Sequence, residues 1–168
     1  MSKFYETSVA DLRIRIAEVE DTPLILQFIK DLAEYEGMLS QVVATEELLE
    51  VTLFGKKQAE VIIGEYKGEP VGFALYYHSY STFLGKANLF LDDLFVKPKA
   101  RGIGTGKALL ACLAQIAVEQ DCGRLEWWCL DWNEPSIRFY KQMGAKPMED
   151  WTTYRVDGDV LPALAARL

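Results

Sequence analysis

The amino-acid sequence predicts a single α/β domain over residues 1–168. Three observations support this: strand-like and helix-like hydrophobic patterns alternate along the chain, a glycine-rich turn joins a strand to a long amphipathic helix, and the length suits one sizeable core. Half of the residues are apolar and 26% are charged, as is usual for a globular protein. We find no internal repeat or linker that would divide the chain.

The first half of the chain begins with a strand and a helix. Residues 13–17 alternate between polar and apolar side chains, which indicates a strand. Asp21 is the predicted N-cap of the helix that follows, because Pro23 stands in its first turn and apolar residues then recur at helical spacing. The other predicted elements of this half are a short helix from Thr45 to about Gly55, strands over 59–66 and 70–80, and a hairpin turn at 67–69.

The second half alternates strands and helices. A helix over 104–119 has apolar residues at i, i+3, i+4 and i+7, which indicates a face packed on the core, and Gly123 is expected to stop it. Asn133 is the predicted N-cap of a later helix. The elements predicted around these two are a strand over 87–96, a short buried strand over 124–130, a helix over 134–143 and a closing strand over 151–156.

A glycine-rich segment follows the strand over 87–96 and opens the helix over 104–119. Gly102, Gly104 and Gly106 alternate with other residues, so that backbone N–H groups are able to turn toward one point. The N-terminal end of the helix adds positive potential there. The segment therefore predicts a cradle for a phosphate group.

Two common glycine motifs do not fit this segment. A Walker A loop counted back from Gly106 and Lys107 needs a glycine and a hydroxyl residue where the chain has Arg101 and Ala108. A dinucleotide fingerprint that starts at Gly102 needs a third glycine where the chain has Lys107. The spacing therefore disfavours a nucleotide kinase and a dinucleotide-dependent oxidoreductase.

The pattern Arg-x-x-Gly-x-Gly, formed by Arg101, Gly104 and Gly106, resembles the pyrophosphate-binding segment of the GCN5-related N-acetyltransferases (GNAT). The segment 131–145 is similar to the second acetyl-CoA segment of that family, and it has the same order and spacing. The likeness spans about 13–161. Three further motifs are similar to the spermidine/spermine (diamine) acetyltransferases and their thialysine-acetylating relatives: 31–36, 72–77 and 91–93.

The resemblance implies a mixed, mostly antiparallel central sheet flanked by helices. It also implies acetyl-CoA as cosubstrate, no metal, a homodimer, and direct acetyl transfer to a primary amine without a covalent enzyme intermediate. Amides from Gly102 through Lys107 would bind the pyrophosphate. The cofactor contacts that the resemblance implies are Leu94, Phe95, Val96, Arg101, Gly102, Ile103, Gly104, Thr105, Gly106, Lys107, Asn133, Glu134, Pro135, Ser136 and Met143.

Tyr140 is the catalytic residue that the resemblance implies. Similar enzymes use the matching tyrosine to protonate the departing sulfur of coenzyme A. An ordinary tyrosine has a pKa of about 10 and a thiol has one of about 8.5, so the transfer is not downhill by itself. We therefore expect Tyr140 to be positioned, or to have a lowered pKa, for this role.

Two adjacent carboxylates, Asp92 and Asp93, interrupt an apolar strand. Burying an unpaired carboxylate is costly, and neighbouring strand residues face opposite sides, so a β-bulge is needed for both to reach one site. We expect Asp92 to position the substrate amine and Asp93 to be its partner. The resemblance implies that the other substrate contacts are Tyr35, Glu36, Glu126, Trp127, Trp128 and Glu149.

The net charge of −7 fits a small cationic substrate and argues against nucleic acid or an anionic membrane as partner. The first residues lack a signal-peptide core, so we expect a cytoplasmic protein.

Three cysteines without a C-x-x-C pair favour reduced thiols over a disulfide frame or a metal site. His78, the single histidine, has no nucleophile motif near it and is interpreted as structural or channel-lining.

The identity of the acceptor stays open at this point. Leu84 and the bulky segment 126–128 differ from close relatives, and the loop before Trp151 is shorter, so spermidine, putrescine and thialysine-like amino acids all remain candidates. Other hypotheses are acetylation of a protein lysine or an aminoglycoside, and a non-catalytic sensor that binds acyl-CoA. A panel of amines with a free-thiol assay separates these hypotheses.

Overall fold

The computed structural model describes residues 3–168, which form two compact units: one ends at Trp128 and the other is Cys129–Leu168. The first unit contains a six-stranded sheet within the described residues. Its strands are β1 (Phe4–Glu6), β2 (Leu12–Ile16), β3 (Glu60–Tyr66), β4 (Glu69–Ser81), β5 (Lys86–Val96) and β6 (Leu125–Trp127).

The strands lie in the order β1-β2-β3-β4-β5-β6. Every neighbouring pair is antiparallel except β5 and β6, which are parallel. The parallel pair arises because a helix crosses over between these two strands, as such connections require. The predicted α/β class, with a mixed and mostly antiparallel sheet, is confirmed, while a single domain over 1–168 stays a prediction.

Helices of the first unit lie where the hydrophobic spacing predicts them. Phe28, on the first helix, stacks on Phe73 of β4 with ring centroids 5.2 Å apart, and the ring of Phe95 of β5 lies 6.2 Å from that of Phe28. These three rings are buried and form part of one core cluster. The helices are α1 (Thr22–Tyr35), α2 (Glu46–Leu49), which continues as a π-helical turn over Glu50–Gly55, and α3 (Thr105–Glu119).

Two residues that were predicted to mark helix ends, Asp21 and Gly123, have other roles in the structure. Asp21 precedes α1, but its carboxylate accepts hydrogen bonds from Arg15 at 2.7 and 2.8 Å and from the Glu18 amide instead of capping the helix. After α3, the left-handed residue is Asp121, with φ of 53°. Gly123 instead permits close packing, because a Cβ there would lie 2.7 Å from Leu84 Cδ1. The prediction that Gly123 stops the helix is therefore wrong.

The predicted strand over 124–130 is shorter and less buried than expected. Only Leu125–Trp127 pairs with β5, and its side chains are half-buried. No pattern in the sequence indicated β1, which has only three residues and pairs with β2.

The second unit contains two helices, α4 (Glu134–Gln142) and α5 (Val160–Ala165). Asn133 caps α4 as predicted, since its side chain accepts a hydrogen bond from the Ser136 amide at 3.4 Å. The predicted strand over 151–156 is wrong: these residues form no ladder with any described segment, and their side chains are exposed. The alternating pattern is present, but a strand also needs a hydrogen-bonding neighbour.

No helix among residues 3–168 is both long enough and apolar enough to cross a membrane.

Candidate active site

A β-bulge in β5 is centred on Asp92. Leu75 of β4 is opposite Asp93, while the next β4 residue, Tyr76, is opposite Leu91, so Asp92 is the extra residue. Without this bulge, Phe90 and Asp93 would face opposite sides of the sheet. The bulge that both carboxylates need in order to reach one site is therefore present, and it turns Asp93 to the face on which α1 packs.

Three carboxyl groups lie near enough to this bulge for their charges to interact. Glu36 directly follows α1, whose end lies above β5, and the charge of Asp92 acts on both Glu36 and Asp93. Burial, reinforced by the charges of Asp92 and Glu36, raises the pKa of Asp93 to about 7. Loss of hydration also raises the pKa values of Glu36 and Asp92 above the usual range. The cluster therefore carries a partly neutralised set of acids suited to holding a cation or exchanging a proton.

Three aromatic side chains, on β4, on β5 and directly after β6, lie on the same face of the sheet as Asp93. Phe90 is opposite Tyr77 of β4, with ring centroids 5.2 Å apart, and the edge of Trp128 meets Phe90 at 5.3 Å. Tyr77 and Phe90 are half-buried, and Trp128 is exposed. Burial and, to a smaller extent, the charge of Asp92 raise the pKa of Tyr77 above its usual range.

Glu126 of β6 lies on this face beside Phe90, with which it is in register. Its carboxylate Oε1 accepts a hydrogen bond from Asn88 Nδ2 at 3.2 Å. Since side chains two residues apart share a face of a strand, Asn88, Phe90 and the Asp92 bulge follow one another along β5. The aromatic surface therefore has a carboxylate at its β6 side and the acid cluster at its bulge end.

The glycine segment forms the N-terminal approach to α3. Gly102 and Gly104 have φ of 80° and 98°, conformations that side-chain-bearing residues rarely adopt. A hydrogen bond of 3.0 Å from the Thr105 hydroxyl to the Ala100 carbonyl holds the start of the helix against the preceding turn. The first amides of a helix have no intrahelical acceptor, so those of residues 105–107 are able to bind an anion. This geometry fits a diphosphate group.

The Arg101 side chain is exposed and lies over the rings of Tyr35 and Phe95. Its Nε donates to the Val96 carbonyl at 2.9 Å, and its guanidinium carbon lies 5.6 Å from the ring centroids of both Tyr35 and Phe95. Arg101 thus connects the glycine segment to the end of α1, next to Glu36. Of the other expected cofactor contacts on β5, Phe95 has its side chain in the core, while Leu94 and Val96 are half-buried.

The second unit contains Tyr140, the predicted catalytic residue, and the predicted cofactor contact Met143. Tyr140 is half-buried on α4, one turn after Ser136, and its ring lies 5.4 Å from that of Phe139. Met143 ends the helix, and its amide donates to the Phe139 and Tyr140 carbonyls. Glu149 is exposed and outside regular structure.

Two predicted residues lie away from the aromatic face. Trp127 alternates with Glu126 and Trp128, so it is on the opposite face of β6. His78 alternates with Tyr77 in the same way, and its Nε2 lies 2.6 Å from Gln120 Oε1. His78 is therefore not a member of the acid cluster, and its role as a structural or channel-lining residue stays a prediction.

Three residues of this face were not predicted from the sequence: Asn88, Phe90 and Tyr77. A polar residue inside the apolar segment 87–91 was a usable signal for Asn88. Tyr77 is the last residue of the motif 72–77, which was a usable signal for it, whereas Phe90 had none, since aromatic residues are common on buried strands.

Comparisons with known proteins relate this chain to acetyltransferases. A family model described as the acetyltransferase (GNAT) family matches residues 26–145. A thialysine N-epsilon-acetyltransferase of Bos taurus is 36% identical over 173 residues, which cover 95% of this chain and 100% of that protein. A spermidine/spermine N(1)-acetyltransferase-like protein 1 of Homo sapiens is 33% identical over 95% of this chain and 24% of its own length.

A solved structure has the same fold as this chain. An integron cassette protein from the mobile metagenome of V. cholerae superposes with a TM-score of 0.76 at 27% identity. The match covers 92% of this chain and 98% of that one.

Proposed function

Because the chain belongs to the GNAT acetyltransferase family and is an N-acetyltransferase, we propose that it transfers an acetyl group from acetyl-CoA directly to a primary amine of a small polycation. The observation that supports this acceptor class most strongly is the aromatic face with carboxylates at two places, Glu126 and the Asp92 bulge. Thialysine and spermidine, named for two relatives, each carry more than one amino group. A diamine, a polyamine or a thialysine-like amino acid therefore fits best.

The face attracts such an acceptor through two interactions. Carboxylates bind an ammonium group by charge, and the rings of Tyr77, Phe90 and Trp128 offer cation–π contacts and an apolar surface to the alkyl chain. The overall charge of −7 adds a long-range attraction. Tyr35 and Glu149 remain proposed substrate contacts on the resemblance alone. Trp127 is also proposed only by resemblance, and its position on the opposite face of β6 argues against a contact with an acceptor on the aromatic face.

Asp93 is proposed as the group that accepts the proton of the attacking amine, directly or through water, while Asp92 positions that amine. A primary amine has a pKa near 10.4, so its deprotonation at pH 7 costs about 4.6 kcal/mol. A base whose pKa is about 7 is ionised in half of the molecules at neutral pH and is more basic than an ordinary carboxylate. Such a base lowers the cost of this step more than a carboxylate with an ordinary pKa would.

The glycine segment is proposed to bind the pyrophosphate of acetyl-CoA through the backbone amides of residues 102–107. The positive φ of Gly102 and Gly104 and the start of α3 support this assignment. Acetyl-CoA supplies the acetyl thioester, and the chain's own groups hold the phosphates and the amine. The remaining cofactor contacts, on β5 and over residues 133–143, are proposed by resemblance.

Tyr140 is proposed to donate a proton to the departing sulfur. In a Tyr140→Phe variant we expect kcat to fall about 100-fold, because a positioned acid contributes 10²–10⁴-fold. Acetyl-CoA affinity should stay near that of the native protein, since the ring is kept. The measurements are steady-state thiol release and calorimetric titration, with Phe139→Tyr as a control that adds a hydroxyl to the neighbouring ring. Undiminished turnover in Tyr140→Phe would remove the residue from the mechanism.

The experiment that tests this function is release of free thiol from acetyl-CoA in the presence of single amines. Diamines, polyamines and thialysine should support release, whereas a protein lysine or an aminoglycoside should support little. A homodimer and a cytoplasmic location stay predictions.

A further inference from the structure

Asn88 is a buried polar residue that the proposed reaction does not yet use. It is 3% exposed, and its Nδ2 donates to Glu126 Oε1 at 3.2 Å. Its Oδ1 is also buried and has no hydrogen-bond partner among the described residues. A buried acceptor without a donor is destabilising, so Asn88 does not serve the stability of β5.

The orientation of the Asn88 amide follows from Glu126. Turning the amide by half a revolution would direct Oδ1 at the carboxylate, and two acceptors would then repel each other. The observed orientation leaves Oδ1 unpaired but directs the NH₂ group to Glu126. Asn88 is therefore oriented to hold the Glu126 carboxylate, although this orientation leaves its own Oδ1 buried without a hydrogen bond.

The carboxylate that Asn88 holds lies at a useful spacing from the acid cluster. Glu126 is in register with Phe90, and Asp92 is two residues further along β5. Two strand residues span ~7 Å, and the Glu126 carboxylate is further from Asp92 than this because its hydrogen bond draws it toward Asn88. An extended four-carbon diamine covers this larger separation, since each of its ammonium groups lies ~3 Å from the carboxylate oxygen that binds it. Phe90 lies between the two acidic positions, with Tyr77 and Trp128 on either side of its ring.

We propose that Asn88 is a positioning residue for acceptor specificity: it fixes the Glu126 carboxylate so that this group binds the second ammonium group of an acceptor whose reacting amine lies at the Asp92 bulge. The proposal rests on the proposed function. An acceptor with a single amino group makes no use of Glu126, so Asn88 affects the choice between diamines and monoamines. Asn88 itself does not touch the acceptor.

The test compares 1,4-diaminobutane with butylamine as acceptors in the native protein and in Asn88→Leu, whose side chain has nearly the same shape. We expect the KM for the diamine, relative to that for butylamine, to rise about tenfold, with kcat for the diamine little changed. The Asn88→Leu protein should melt no lower than the native one, because the unpaired oxygen is removed. Ser79→Ala, opposite Asn88 on β4, is the matched control and should keep the native ratio.

Glu126→Gln should raise the same ratio, and Asn88→Leu should add little to it in the double variant, since both changes remove one interaction. If folded Asn88→Leu keeps the native ratio of the two KM values, whether neither value changes or both change equally, the proposal is overturned. The proposed function would remain intact. Fully additive effects would show that Asn88 does not act through Glu126. A native protein that acetylates neither amine would instead contradict the proposed function itself.

Discussion

Replacing Asp93 with asparagine should stabilise the protein above pH 7 and at the same time remove most of its activity. In the folded protein the carboxyl pKa is about 7, against an ordinary value near 4, because of burial and the nearby charges of Asp92 and Glu36. Between pH 4 and pH 7 the unfolded chain therefore loses this proton while the folded protein keeps it. The free energy of unfolding of the native protein thus falls as pH rises through that window.

The size of this effect has an upper limit. Three pKa units correspond to ~4 kcal/mol, and that cost is fully present above pH 7. Asparagine is neutral at every pH, so Asp93→Asn should match the native protein near pH 4 and exceed its stability at pH 8. Thermal or urea unfolding at the two pH values measures the difference.

Activity should change in the opposite direction. If Asp93 accepts the proton of the amine, Asp93→Asn should lower kcat/KM at least 100-fold and remove the rise of kcat/KM through pH 7. Glu47→Gln, which neutralises an exposed carboxylate on α2, is the control and should change neither quantity. An Asp93→Asn protein that is less stable at pH 8, or fully active, would refute the assignment.

Replacing Gly104 with valine should abolish acetyl-CoA binding. The φ of 98° disfavours any side chain, and a Cβ would lie 3.1 Å from Val9 Cγ2, so the turn must shift. A displaced turn no longer directs the amides at the start of α3 toward one point. We expect the affinity for acetyl-CoA to fall at least 100-fold in calorimetric titration.

The control for this change carries the same kind of backbone strain elsewhere. Gly85, in the turn between β4 and β5, has φ of 65°, and a Cβ at this position would meet no atom within 4 Å beyond its chain neighbours. Gly85→Val should therefore lose some stability but bind acetyl-CoA as the native protein does. Circular dichroism establishes that both variants are folded. Native affinity in folded Gly104→Val would show that the glycine segment does not bind the cofactor.

Much of the first unit follows from local patterns. Spacing of apolar residues predicts α1, α3 and the three long strands, because burial of one face determines these elements. The hairpin between β3 and β4 follows from its turn residues, since Lys67 and Gly68 both have positive φ. The adjacent carboxylates in an apolar strand showed that a bulge is needed if both are to reach one site, but the sequence did not decide whether it forms; the structure contains it at Asp92.

Other features depend on contacts distant in sequence. The segment 151–156 alternates like a strand, but whether it pairs depends on a neighbour that the pattern does not specify. The hydrogen bond between Asn88 and Glu126 joins residues 38 positions apart, through the parallel pairing of β5 with β6. The raised pKa of Asp93 likewise depends on Glu36 reaching the bulge from the end of α1.

The central claim is that this chain acetylates one amine of a small acceptor that carries a second cationic group. The most direct measurement is kcat/KM for thiol release from acetyl-CoA with thialysine, spermidine and 1,4-diaminobutane, compared with butylamine, a lysine-containing peptide and an aminoglycoside. We predict that at least one of the first three exceeds every compound of the second group by tenfold or more. Thiol release that is absent with all six, or fastest with the peptide or the aminoglycoside, would contradict the claim.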